Sequence, residues 1–210
     1  MSEIKIGRLV IGIAQTNCYF IYKEGSNECV FVDPADQGAT IFEKLKANGL
    51  SVSGIVLTHA HFDHIWGAQE LRAKSGAKIY AWEEEEDLCS DSILNESDWA
   101  GRACTIKPNV YLKDGDEIEI AGIRLKLLGT PGHTKGSCCY YIEEAGILIS
   151  GDTLFAESVG RTDFHTGSMS TLVRSIKEKL LVLPDDTRVY PGHGPSTTIG
   201  YEKENNPFIQ

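Results

Sequence analysis

Three histidines and an aspartate fall within six residues, in Thr58-His59-Ala60-His61-Phe62-Asp63-His64. Imidazole nitrogens and carboxylates are the donors that take zinc, iron or manganese. Chance assembly of that run in a chain with 6 histidines is on the order of three in ten thousand. The run is therefore read as a metal site rather than as solvated polar residues at a strand end. It follows an apolar stretch at 54–57 that reads as a buried strand, and it precedes residues 65–74, which read as an amphipathic helix. That places it at the carboxyl end of a strand, where α/β sheets bind ligands.

The chain offers further donors in the same setting. His133, Asp152 and His193 each follow an apolar strand, and each has a glycine beside it, which lets backbone approach a ligand closely. Together with His59, His61, Asp63 and His64 they make seven donors, too many for one tetrahedral zinc. Two metals sharing a carboxylate would use them all, and paired metals can share a hydroxide and polarise a substrate oxygen. Asp33 also ends a strand and is placed to orient a ligand histidine, although capping a turn would explain it as well.

These residues need a scaffold, and the elements can be read in order. Strands are expected at 4–10, 18–23 and 28–33, a helix at 39–48, and strands at 54–57 and 78–81. The acidic run 83–87 reads as a solvated helix face. Residues 89–109 lack periodicity and read as a loop or lid beside the site. Strands follow at 117–120, 123–128, 137–142 and 147–150, then a helix at 170–183 and a strand at 188–190. No linker divides them, so residues 1–210 are read as a single α/β domain.

Composition narrows the classes. A net charge of −10 and the lack of a Lys/Arg-rich run argue against nucleic-acid binding. No apolar run approaches a membrane span, and no signal segment opens the chain, so a cytoplasmic protein is expected. None of the 6 cysteines forms a C-x-x-C pair, and reduced, buried thiols are expected. In a strand, Cys138 and Cys139 would face opposite sides.

The sequence THAHFDH, then PGHT, Gly151-Asp152 and PGHG, resembles the metallo-β-lactamase superfamily across nearly the whole chain. The resemblance implies a four-layer αββα sandwich. It implies that His59, His61 and His133 hold one metal, that Asp63, His64 and His193 hold a second, and that Asp152 bridges them. Two divalent ions are implied, zinc first, with iron or manganese also suited to the donors. Zinc β-lactamases carry Cys or Ser near the Asp152 position or lack the aspartate–histidine pair, so antibiotic cleavage is not the favoured role. The stretch Gly160-Arg161-Thr162-Asp163-Phe164 and the terminal Glu204-Asn205-Asn206-Pro207-Phe208 resemble the glyoxalase II-like branch.

That branch implies hydrolysis of a small-molecule thioester such as S-lactoylglutathione, with Asp63 and Asp152 as catalytic carboxylates. The helical domain that grips glutathione in full glyoxalase II would lie beyond residue 210. Arg161 is a candidate for binding a substrate carboxylate, against an ion pair with Asp163. His165 could line the pocket or face solvent, and Asn17 and Tyr19 are candidates for supporting the site. The alternatives are a one-iron persulfide dioxygenase using His59, His133 and Asp152, and a metal-dependent lactonase. Metal content and oxygen uptake would separate them.

Overall fold

A computed structural model describes residues 2–210, so Met1 lies outside the description. The first half of the chain builds a six-stranded sheet from β1 (Ile4–Ile11), β2 (Thr16–Lys23), β3 (Glu28–Val32), β4 (Ser51–Val56), β5 (Lys78–Trp82) and β6 (Val110–Leu112), in that spatial order. β1 to β3 pair antiparallel, and β3 to β6 pair parallel. Parallel neighbours need crossovers, supplied here by α1 (Gly38–Ala47), the pair α2 (Phe62–Ile65) and α3 (Ala68–Ser75), and α4 (Glu86–Ser90) with the turns after it.

The second half builds another six-stranded sheet. Its strands are β7 (Glu117–Ile120), β8 (Ile123–Gly129), β9 (Cys138–Ile142), β10 (Ile147–Gly151), β13 (Arg188–Pro191) and β14 (Thr197–Thr198). A short hairpin, β11 (Leu154–Phe155) with β12 (Ser158–Val159), leaves the end of β10. Helices α5 (Met169–Ser175) and α6 (Ile199–Asn205) complete this half.

Side-chain alternation in the strands sorts the core into three layers. Val30, Val32 and Val56 meet Leu125, Leu127, Tyr140 and Ile149 between the sheets. Phe31, Ile55 and Ile79 face outward onto Ile41, Leu45 and Leu71 of α1 and α3. On the far side Cys139 and Leu148 pack under Leu172, Ile176 and Leu180. The four layers run helix, sheet, sheet, helix, as expected. Cys138 lies between the sheets and Cys139 outside them, the two faces expected of adjacent strand residues.

Three elements differ from their sequence reading. The helix expected at 65–74 is split, because Gly67 turns its N–H to Pro34 O at 2.8 Å before α3 begins. The helix expected at 170–183 widens after Ser175 into a π-helical segment, Ile176–Leu180, which keeps the same leucine and isoleucine face buried. The acidic run is not a uniformly solvated face, since Glu85 is buried.

Candidate metal centre

Four strands of the two sheets end at one place. The exit of β4 carries His59 and His61, and α2 carries Asp63 and His64 one turn on. The β8–β9 loop carries His133. The end of β10 carries Asp152, and the turn after β13 carries His193. Each apolar strand is fixed by the core, so its exit residues inherit a fixed position. The sequence spreads the donors over 135 positions, and the sandwich gathers them.

Their atoms lie within metal-binding reach. His133 Nε2 is 2.9 Å from His61 Nδ1 and 3.3 Å from His59 Nε2. His193 Nε2 is 3.3 Å from Asp63 Oδ2, and His64 Nε2 is 3.8 Å from the same oxygen. Asp152 lies between the two groups, with Oδ2 3.6 Å from His133 Nε2 and 3.5 Å from His193 Nε2, and Oδ1 3.5 Å from His64 Nε2. The ligand atoms of His59, His61 and His133 all lie within 4.8 Å of one another, as do those of Asp63, His64 and His193. A further overlapping group joins His59, His64 and Asp152.

The chemistry of these donors fits cations. Buried polar atoms are normally hydrogen-bonded. Among the described residues, however, His64 Nε2 and Asp152 Oδ1, which face each other across the centre at 3.5 Å, are buried without a hydrogen-bond partner. Burial, reinforced by the neighbouring imidazoles, holds His59 and His61 well below the usual histidine range, and burial also lowers His133. Three neutral imidazoles turned toward one another are a ready cation site. His64 differs: burial works against its charge, but Asp63, Asp152 and Asp33 raise it to about 10. Burial likewise works against ionised Asp63, yet His64 and His193 lower its pKa overall.

Outer contacts fix which ring nitrogen faces inward. Asp33 Oδ2 lies 2.9 Å from His64 Nδ1, leaving Nε2 for the centre. The same carboxylate accepts from Thr58 N at 2.8 Å and Thr58 Oγ1 at 2.6 Å, tying it to the strand exit. Asp33 has φ 49°, a left-handed conformation that aspartate tolerates better than most residues. His133 Nδ1 is 2.7 Å from the backbone oxygen of Arg161. Asn17 Nδ2 donates to Pro191 O and Gly194 O, and Tyr19 OH donates to Pro191 O, so both brace the turn that carries His193. Thr16 Oγ1 donates to Asp63 Oδ2 at 3.1 Å. Gly192 has to lack a side chain, because a Cβ there would overlap Asp152 Oδ1 and sit 2.8 Å from His64 Cε1.

The centre lies in an open cleft of about 790 Å³. Phe155, Phe164 and Trp99 give it apolar walls, and Arg161, Glu96 and Asp163 stand among its polar lining. Arg161 makes a bidentate pair with Asp163, both bonds 2.6 Å, and lies 4.5 Å over the Phe164 ring. His165 lines the cleft and is exposed. The 89–109 segment does border the site. Buried Asn95 ties it together by donating to Leu88 O and Cys104 O, and Trp99 stands out at 82% exposure.

Sequence reasoning missed Glu85, read as one more solvated acid. Its carboxylate is buried and accepts from Ala60 N, Thr134 Oγ1 and Gly136 N, while burial raises its pKa to about 7. A run of four glutamates at 83–86 gives no signal that the third turns inward.

The profile of the metallo-beta-lactamase superfamily matches residues 11–193. The probable metallo-hydrolase YqgX of Bacillus subtilis is 41% identical over 208 residues, 98% of both chains. The hydroxyacylglutathione hydrolase GloC of Haemophilus influenzae is 32% identical over 203 residues, 93% of both chains. Among solved structures, the BLEG-1 B3 metallo-β-lactamase superposes with a TM-score of 0.93 at 37% identity, covering 98% of this chain and 100% of its own. A di-iron-bound form of TTHA1623 gives 0.85 at 34% identity, covering 96% and 99%.

Proposed function

Since this chain belongs to the metallo-β-lactamase superfamily and carries the candidate site of a metal-dependent hydrolase, we propose that it hydrolyses small thioesters at a two-metal centre. His59, His61 and His133 would hold one ion, Asp63, His64 and His193 the other, and Asp152 would reach both. The observation that carries this reading is the placement of Asp152 Oδ2, 3.6 Å from the nearest nitrogen of the first set and 3.5 Å from one of the second. When bound, two divalent ions supply an activated water and a Lewis acid for the substrate carbonyl.

The chain's own residues do the rest. Asp33 and the Arg161 carbonyl keep His64 and His133 in one orientation, so the donor set needs little rearrangement. Asp63 Oδ2 and Asp152 Oδ2 are the acceptors nearest the centre for a proton from the attacking water. Phe155, Phe164 and Trp99 would hold the acyl and thiol arms, and Arg161, by opening its pair with Asp163, would take a substrate carboxylate. A thiolate leaves without protonation, so the absence of a dedicated general acid from the scheme costs little.

Similarity to GloC supports a thioester such as S-lactoylglutathione. Similarity to BLEG-1 reopens β-lactam cleavage, which Asp152 had set aside, as the second substrate class. A persulfide dioxygenase would employ only His59, His133 and Asp152, and would leave the gathered trio of Asp63, His64 and His193 without work. A lactone shares the donors and differs only in its leaving oxygen. Zinc, iron and manganese all suit this mixed His/Asp set, and a cytosolic monomer or oligomer would serve equally. The test is turnover of S-lactoylglutathione, a β-lactam and a lactone by protein loaded separately with each metal. Thioester turnover at least tenfold above the others supports the reading. Hydrolysis of the β-lactam or lactone alone, or oxygen uptake on a persulfide, overturns it.

A further inference from the structure

The geometry points to Glu85 as the positioning residue that sets the spacing of the His59/His61/His133 trio, a role that rests on the two-metal reading above. The trio comes from two sheets. His59 and His61 leave the first sheet on β4, and His133 leaves the second between β8 and β9. The ladders within each sheet do not set the distance between these loops, and the bond from Cys138 N to Thr58 O, 2.9 Å, joins them only at the strand exits, before His59 and after His133. The Glu85 carboxylate spans them. Its Oε1 accepts from Ala60 N at 2.8 Å, the amide lying between the two β4 histidines. Its Oε2 accepts from Gly136 N at 2.9 Å, three residues past His133. The hydroxyl of Thr134, the residue after His133, lies 3.0 Å from both oxygens.

The arrangement is built for a carboxylate. Glu85 is 1% exposed, so its side chain serves no surface role. Ser137 Oγ, 2.7 Å from Thr134 Oγ1, can donate there and leave the Thr134 proton for Glu85. Each carboxylate oxygen faces a backbone N–H, which can only donate. A glutamine of the same shape would set its NH₂ against one of those amides and release one loop. A Cβ on residue 136 would lie 2.5 Å from Glu85 Oε2, so the loop's glycine makes room for this contact.

The test isolates each trio. His193→Ala leaves the first trio to be read, and His61→Ala leaves the second. Zinc affinity is measured by competition with a chromogenic chelator in both backgrounds, with and without Glu85→Gln. Glu85→Gln is expected to weaken zinc binding 10–100-fold in the His193→Ala background, the range typical of losing an outer partner of a ligand. In the His61→Ala background the change should stay within about threefold. The melting temperature of each metal-free variant separates positioning from general loss of structure. Unchanged affinity in the first background overturns the proposal, as does an equal fall in both backgrounds that tracks the metal-free melting temperature. Should Glu85→Gln fail to fold, Thr134→Val removes one of the contacts, and the same selective fall, of smaller size, is required. If the otherwise unaltered protein binds a single ion at saturation, the two-metal reading fails, which is a separate result.

Discussion

His64 and the first trio illustrate how similar side chains can be set for different behaviour. His59, His61 and His133 are pushed down by burial, so near neutral pH they are already deprotonated and need shed no proton to take a metal. His64 is buried too, but facing Asp63, Asp152 and Asp33 raises it to about 10 in the metal-free protein, and His193 is raised as well. A metal entering the second group has to displace a proton. The sign follows: acidification from pH 8 to 6.5 should weaken binding of the second ion by at least about tenfold per unit, one proton from His64, and more steeply as His193 also takes up a proton, while leaving the first nearly flat. Calorimetric titration in buffers of different ionisation enthalpy reads the proton release directly. Parallel pH slopes for the two ions would contradict this assignment. Asp152 belongs to the same scale. Asp152→Ala removes the carboxylate nearest both groups and should lower turnover by 10³-fold or more, with far-UV circular dichroism unchanged. Retained activity would sink the two-metal scheme.

At the scale of elements, the site is a set of strand exits. β4, β10 and β13 end on short turns whose backbone is held by hydrogen bonds across the sheets, such as Cys138 N to Thr58 O at 2.9 Å and Asn17 N to Gly192 O at 2.8 Å, and within the second sheet, where Gly192 N donates to Gly151 O at 2.8 Å. That explains why so much was legible from sequence. Short continuous apolar runs name the buried strands, and donors placed just after them share an edge once the strands are parallel or stacked. What was not legible depends on contacts remote in sequence. Glu85 turns inward only because Ala60 and Gly136 offer it donors. The 91–105 turns are ordered by a buried asparagine rather than by a periodic pattern, and the break at Gly67 reflects a hydrogen bond to Pro34. Gly192→Ala tests the packing of these exits. Its new Cβ would displace Asp152 or His64, so metal content should fall below half of the wild-type value while the metal-free fold persists. Elemental analysis beside a thermal melt checks it, and a normal metal content would show that the turn can move aside.

Across the whole molecule, the αββα sandwich gathers its polar centre where strand ends of both sheets meet, with His59, His61, His64 and His133 buried and His193 open to the cleft. Among the described residues no helix is long and apolar enough to cross a membrane. Five of the 6 cysteines are buried in the core. Burial pushes the thiols of Cys18 and Cys29 up to about 12 and Cys139 up to about 11, so they are poor nucleophiles in the folded chain. A thiol reagent should label the native protein at Cys104, the half-buried thiol, and reach all 6 only after unfolding. Rapid native labelling at more than one site would mean the core opens easily. Metals that bind only the folded state stabilise it by mass action, about 4 kcal/mol when their concentration is a thousand times the dissociation constant. Chelation should accordingly lower the melting temperature by roughly 10 °C in a chain of this size. The central claim, a two-metal centre assembled from four strand ends, is tested most directly by counting metal ions per chain at saturation in protein carrying no metal-binding tag. A value near two is the expected result, and a value that stays at one whatever metal is supplied would contradict it.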